Sequence, residues 1–93
     1  MSDVIRELEA ALRQRATRPP AESYTARLLA AGEDEIVKKL GEEAIEVILA
    51  AKGQGDERLV SEAADLVYHL LVLLLARGLD WAVVEAELAR RRR

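Results

Sequence analysis

The chain lacks cysteine and phenylalanine, and its 93 residues include only one tryptophan and two tyrosines. Without cysteine there can be no disulfide bond and no thiolate metal site. Aromatic residues and β-branched alternations, which favour strands, are scarce, whereas the helix formers Leu, Ala, Glu and Arg dominate. The composition therefore predicts an all-α protein.

Positive charge and long apolar runs are also limited. A formal net charge of −3 argues against a nucleic-acid surface, which needs concentrated Lys and Arg. The most membrane-like stretch, residues 63–76, is shorter than a span of about 20 residues and contains Asp65 and His69. We read it as a buried helix. The first residues are charged and lack a secretory signal pattern, so we expect a cytoplasmic protein with no membrane partner.

The length fits a single domain over residues 1–93. A core this small is marginal by itself, so oligomerisation is expected to add stability. We predict antiparallel helical hairpins that form a four-helix-bundle-like core, completed by dimerisation.

Capping and breaking signals divide the chain into five helices, over about residues 4–18, 24–31, 33–52, 57–77 and 81–93. The predicted N-caps are Asp3, Ser23, Asp56 and Asp80. The short, glycine-containing turn at 53–56 predicts that the third and fourth helices form an antiparallel hairpin. The basic run at 90–93 suits a helix C-terminus, with a phosphate-binding tail as the less favoured alternative.

Three glutamates, Glu42, Glu43 and Glu46, share one side of the third helix at about 100° per residue. Apolar residues occupy the other side: Ile36, Val37, Leu40, Ala44, Val47, Ile48 and Ala51. Taken alone, the glutamates could form an ordinary solvated stripe. Lys38 and Lys39 could pair with Glu42 and Glu43 at i, i+4.

The fourth helix is apolar around most of its circumference, which predicts that it is mostly buried. Its one polar ladder is Arg58, Glu62, Asp65 and His69. Ionised carboxylates on a buried helix need a compensating partner. Mg²⁺ meets that need through carboxylate oxygens, with Mn²⁺ as an alternative. A salt-bridge network through Arg58, Lys38 and Lys39 would also satisfy them.

The carboxylates read E-E-x-x-E at 42–46, then fifteen residues, then E-x-x-D at 62–65. This pattern is similar to the paired-helix metal motif of the all-α nucleotide pyrophosphohydrolases. The stretches S-Y-T at 23–25, I-V-K-K-L-G-E-E-A at 36–44 and A-D-L-V-Y-H-L-L-V-L at 64–73 resemble the phosphoribosyl-ATP pyrophosphohydrolase family of histidine biosynthesis.

The resemblance implies Mg²⁺-dependent hydrolysis of phosphoribosyl-ATP to phosphoribosyl-AMP and pyrophosphate by a homodimer. Glu42, Glu43, Glu46, Glu62 and Asp65 would supply the metal ligands. Either Glu42 or Glu46 would act as the general base.

Four further side chains are candidates for substrate binding. Lys38 and Lys39 could contact phosphate oxygens, or simply pair with the glutamates. Tyr24 could stack on the substrate or pack in the core. His69 could touch phosphate, although a lone helical histidine is more often structural. Tyr68 and Trp81 are assigned to packing.

Three rival functions remain. A ferritin-like metal protein would need Glu-x-x-His pairs on two helices, and one histidine cannot supply them. A non-catalytic dimerisation module leaves the carboxylate spacing unexplained. A pyrophosphohydrolase for another nucleoside triphosphate is the closest alternative.

Overall fold

The structure is a computed structural model that describes residues 3–92. Within that range it is all-helical, as predicted. The elements are α1 (Val4–Ala16), a short 3-10 turn (Pro20–Glu22), α2 (Tyr24–Ala31), α3 (Glu33–Gly53), α4 (Asp56–Ala76) and α5 (Trp81–Arg91). Helix α1 stops two residues before the predicted end, and the chain turns once at Pro20 before α2 begins.

Two of the four predicted caps are confirmed. Ser23 Oγ accepts a hydrogen bond from the Ala26 N–H at 3.1 Å, and Asp80 Oδ1 accepts one from the Val83 N–H at 3.2 Å. Asp3 occupies the N-cap position of α1 without a side-chain cap bond. The Asp56 prediction is wrong, because Gly55 is the N-cap and Asp56 is the first helical residue. Gly55 has φ 90°, a conformation that glycine adopts without steric cost.

Helices α3 and α4 form the predicted hairpin, with the most extensive helix-to-helix contact in the described chain. Each has 21 residues, which corresponds to about 31 Å of helix. Helices α1 and α2 pack against one end of this hairpin. The buried core lies at that end and consists of Leu12, Leu28, Ile36, Leu71 and Val72.

Helix α5 is attached beside α1. The Trp81 N–H donates to Glu9 Oε2 at 2.7 Å, and the Glu9 side chain is buried. The carboxylate thereby satisfies one of the free N–H groups at the start of α5. Arg6 and Glu85 form an exposed ion pair at 3.2 Å between the same two helices.

The prediction that α4 is mostly buried is wrong for the single chain. Only 22% of its most apolar 18-residue window is buried, because α1 and α2 cover only one end of the hairpin. By length and composition alone, α4 could span a membrane. The same property is found in core helices of proteins whose helices pack against a partner, so it is weak evidence of a membrane protein.

The apolar side of α3 is only partly covered. Ile36 is buried, but Val37 and Ile48 are exposed, and Ile48 keeps 60% of its surface accessible. Ile45 and Leu49 are exposed as well. The helix turns Glu43 and Glu46 toward α4 and leaves these apolar residues on the outside.

Candidate active site

Three of the five predicted carboxylates meet between α3 and α4. Glu43 on α3 and Glu62 and Asp65 on α4 each offer an oxygen within 4.8 Å of the other two. Glu62 is only 5% exposed, Glu43 is half-buried and Asp65 is exposed. The antiparallel hairpin produces this arrangement, since it brings the middle of α3 opposite the first half of α4.

The donor set fits a hard divalent cation. Oxygen ligands around Mg²⁺ lie about 2.1 Å from the ion and therefore about 3 to 4 Å from one another. The carboxylate cluster, which comprises Glu43, Glu62 and Asp65, needs only a small contraction to reach that spacing. Three negative charges in one place also repel one another unless a cation offsets them.

Arg58 supplies part of that positive charge. Its guanidinium lies 3.0 Å from Glu62 Oε2, one turn earlier on α4. This ion pair belongs to the salt-bridge network that the sequence left open as an alternative to metal. It involves one of the two oxygens of Glu62 and leaves the other available to a ligand.

Glu42 and Glu46 lie outside the carboxylate cluster. Glu42 is exposed and its carboxylate lies 3.6 Å from Lys39 Nζ, an i, i+3 pair rather than either of the predicted i, i+4 pairs. Glu46 is half-buried and follows Glu43 by three residues, so it lies one turn farther along the same side of α3. Lys38 is exposed on the outer side of the helix.

His69 uses both of its ring nitrogens within the protein. Nδ1 lies 2.7 Å from the backbone carbonyl oxygen of Asp65, which can only accept, so Nδ1 carries the donated proton. Nε2 lies 2.8 Å from the Tyr24 hydroxyl. In the neutral imidazole, Nε2 therefore accepts the hydrogen bond from Tyr24. His69 is buried, and this geometry favours the structural role over direct contact with a substrate.

Tyr24 lies at the centre of an aromatic group. Its ring stacks on Tyr68 at 6.3 Å between centroids and meets His69 edge-on at 5.8 Å. The Arg27 guanidinium lies 5.7 Å from the centroid of the Tyr24 ring. The Tyr68 hydroxyl forms a 2.8 Å hydrogen bond with the Thr25 hydroxyl, and Thr25 is fully buried. Partial burial is the main reason that the pKa of Tyr24 is raised above its usual value.

Two depressions flank Tyr24. A groove of about 550 Å³ is lined by Pro20, Tyr24, Arg27, Leu28, Ala30, Ala31, Glu35 and Lys39. A smaller cleft of about 250 Å³ lies on another side and is lined by Arg15, Arg18, Glu22, Ser23, Tyr24, Thr25 and Tyr68. The predicted residues Tyr24 and Lys39 thus border the same groove.

Sequence analysis assigned Tyr68 to packing, as the structure shows, and did not single out Arg27 or Thr25. Arg27 follows Tyr24 by three residues, a spacing that places two side chains on one face of a helix and could have indicated the contact. No local pattern links Thr25 to Tyr68, because they lie on different helices and meet only after α2 packs against α4.

Antiparallel helices with a carboxylate cluster between them define an all-helical protein with a candidate centre for a hard divalent cation. The sequence model of one family, described as phosphoribosyl-ATP pyrophosphohydrolase, matches residues 5–92. The chain belongs to this phosphoribosyl-ATP pyrophosphohydrolase family.

Curated relatives agree along almost the whole chain. A protein of Pelotomaculum thermopropionicum is 56% identical over 90 residues, which cover 97% of this chain and 92% of the relative. A protein of Metallosphaera sedula is 48% identical over 91 residues, 98% of each chain. One of Pyrobaculum calidifontis is 52% identical over 88 residues, 95% and 94% of the two chains. All three are named phosphoribosyl-ATP pyrophosphatase.

Proposed function

We propose that this protein hydrolyses the α–β phosphoanhydride of phosphoribosyl-ATP and releases phosphoribosyl-AMP and pyrophosphate, a step of histidine biosynthesis. The observation that carries the proposal is the carboxylate cluster between α3 and α4 in a chain of this family. We also propose that the protein is cytoplasmic.

Glu43, Glu62 and Asp65 would hold Mg²⁺, or Mn²⁺ in its place, through carboxylate oxygens. The bound ion would supply positive charge against the phosphate chain. Arg58 would orient Glu62 through their 3.0 Å ion pair. Glu42 and Glu46 remain candidate ligands, through water or after side-chain rotation.

Glu46 is the better candidate for the general base. It lies one turn from Glu43 on the side of α3 that faces α4, it is half-buried, and it is free to accept a proton from the attacking water. Glu42 is exposed and paired with Lys39. The comparison of Glu46→Gln with Glu42→Gln tests this choice, and the larger fall in kcat is expected for Glu46→Gln.

Tyr24 and Lys39 would contact the substrate from the groove that they both line. We assign His69 as the positioning residue for Tyr24, because its Nδ1–H bond to Asp65 leaves Nε2 to accept from the tyrosine hydroxyl. Lys38, on the outer side of α3, is the weakest of the substrate-binding candidates.

We also propose a homodimer. The outer faces of α3 and α4 expose Val37, Ile45, Ile48, Leu49 and Val60. Exposed apolar surface of this kind is typical of an interface. A second copy that covers Val60 would bury α4 further, as the sequence predicts.

The deciding experiment incubates the purified protein with phosphoribosyl-ATP and Mg²⁺ in ¹⁸O-labelled water and separates pyrophosphate from orthophosphate. Pyrophosphate and one labelled product are expected, with loss of activity in EDTA. Orthophosphate as the product, or full activity in EDTA, would refute the mechanism. Assays with dCTP and dUTP test the closest alternative, and faster turnover of either would reassign the substrate.

A further inference from the structure

The cleft of about 250 Å³ between α1, the 3-10 turn and α4 shares Tyr24 with the groove described above, but its two arginines have no part in that mechanism. Its lining includes Arg15 and Arg18 together with Tyr68 and Thr25. The Tyr68 and Thr25 hydroxyls share a hydrogen bond of 2.8 Å, which holds these two side chains in place. The cleft therefore combines two guanidinium groups with an ordered pair of hydroxyls.

Both guanidinium groups are available to a ligand. Within residues 3–92, neither Arg15 nor Arg18 forms a side-chain hydrogen bond or an ion pair, whereas Arg58, Arg77 and Arg90 each pair with a glutamate. Glu22 also lines the cleft but pairs with neither arginine. Two cations against one anion give this cleft a net positive charge in a chain whose own net charge is −3.

The cleft adjoins the carboxylate cluster. Tyr68 follows Asp65 by three residues on α4, so the two side chains lie one helical turn apart, with about 5 to 6 Å between their β-carbons. Tyr24 borders the cleft and also hydrogen-bonds to His69, whose Nδ1 donates to the backbone carbonyl oxygen of Asp65. A ligand bound at the carboxylate cluster could therefore extend into the cleft.

Phosphoribosyl-ATP carries phosphate at two separate ends, and the carboxylate cluster accounts for only the triphosphate. A guanidinium group binds a phosphate through paired, charge-assisted hydrogen bonds. We propose that Arg15 and Arg18 bind the terminal phosphate of the phosphoribosyl group and so select this substrate over simple nucleoside triphosphates. This inference rests on the proposed function.

The first test measures steady-state kinetics of Arg15→Ala, Arg18→Ala and the matched control Arg13→Ala. Arg13 is an exposed arginine in the last turn of the same helix, outside this cleft. We expect KM for phosphoribosyl-ATP to rise about tenfold for each cleft variant and kcat to change less than about twofold. Arg13→Ala should match wild type. If all three variants raise KM equally, the effect comes from the loss of positive charge in general, and the proposal is wrong.

The second test uses two inhibitors, each of which resembles one end of the substrate. Ribose 5-phosphate should inhibit wild type and lose potency about tenfold or more in the cleft variants, whereas pyrophosphate should inhibit all of them equally. If pyrophosphate loses potency to the same degree, the arginines bind the triphosphate end and the proposal is wrong.

A binding measurement distinguishes failure of this inference from failure of the proposed function. Arginine Nε–H resonances of the whole protein are followed by NMR during titration with ribose 5-phosphate, and with ribose as the control. Selective shifts of Arg15 and Arg18 with ribose 5-phosphate alone support the cleft as a phosphomonoester site, even if phosphoribosyl-ATP is not hydrolysed. Identical responses to ribose, or shifts of other arginines that persist when Arg15→Ala and Arg18→Ala are combined in one variant, would overturn it.

Discussion

Glu43 and Ile48 lie little more than one turn apart on α3. On an ordinary surface helix the glutamate would be exposed and the isoleucine buried, but here the reverse is found. Glu43 is half-buried beside Glu62 and Asp65, whereas Ile48 is 60% exposed. Carboxylates brought together inside need a cation, and isoleucines left outside need apolar cover. The inner face thus points to a metal ion, and the outer face to a second copy of the chain.

The largest expected effect comes from neutralising the inner face. Glu43→Gln and Asp65→Asn should each lower turnover of phosphoribosyl-ATP by about 100-fold or more, because each removes an anionic ligand without changing side-chain size. Activity assays and far-UV circular dichroism are the measurements. Glu57→Gln, on an exposed turn of α4, is the control. Wild-type rates in both cluster variants would show that the carboxylates are only a polar face.

A charge on the outer face should break the dimer that we propose. Ile48→Glu would place an unpaired carboxylate in the apolar interface, and two-fold symmetry would do so twice. We expect the dimer dissociation constant to rise at least about 100-fold, measured by sedimentation or light scattering. Leu88→Glu changes a similarly exposed leucine on α5. If Leu88→Glu dissociates the dimer and Ile48→Glu does not, the interface lies elsewhere.

A smaller effect is expected on the stability of the protein, as distinct from its activity, when the carboxylate cluster is changed. In EDTA, Glu43→Gln should be more stable than wild type by about 1 kcal/mol, since it relieves repulsion among three carboxylates. Saturating Mg²⁺ should reverse the order, because the ion binds and stabilises the wild-type site more strongly. Urea unfolding at fixed protein concentration tests both. A variant less stable than wild type in EDTA would contradict the account of the cluster.

The smallest expected effect concerns the pKa of Tyr24, which lies on α2. Burial raises its pKa, with Glu43 and Tyr68 adding to the shift and Lys39 and Arg27 opposing it. The folded state therefore favours the neutral phenol. Its contribution to stability is complete below the ordinary pKa of 10.0 and is lost as the pH rises through the higher folded value.

Tyr24→Phe should remove this part of the pH dependence. The free energy of unfolding is measured by urea titration between about pH 8 and about pH 11, the range in which tyrosine ionises. Wild type should lose more stability across that range than the variant. Parallel pH profiles would mean that the Tyr24 hydroxyl is not held in a distinct environment.

Local signals predicted much of this fold. Ser23 and Asp80 cap the helices that their positions indicate, and the glycine-rich turn produces the α3–α4 hairpin. The spacing of Glu43, Glu62 and Asp65 anticipated which helices share the carboxylate cluster. The misplaced cap at Asp56 has a local cause too, since Gly55 with φ 90° already ends the turn.

The orientation of α3 could not be predicted in the same way. Around its axis, α3 has a side with glutamates and a side with apolar residues. Judged from this helix alone, either side could face α4. The sequence argument placed Val37 and Ile48 opposite the glutamates, and it left open whether the glutamates form a solvated stripe or face α4 across a cation. Only the packing of α3 against α4 decides between the two orientations.

The sequence by itself determined the helices, their turns and the identity of the carboxylates, because caps, glycines and residue spacing act within a few positions of the chain. Tertiary structure decided which carboxylates meet, which face of α3 lies inward, and that Tyr24, His69, Tyr68 and Thr25 join in one network. These features depend on contacts between residues that are about 20 positions apart in the carboxylate cluster and more than 40 apart in the aromatic network, and no local pattern specifies such contacts.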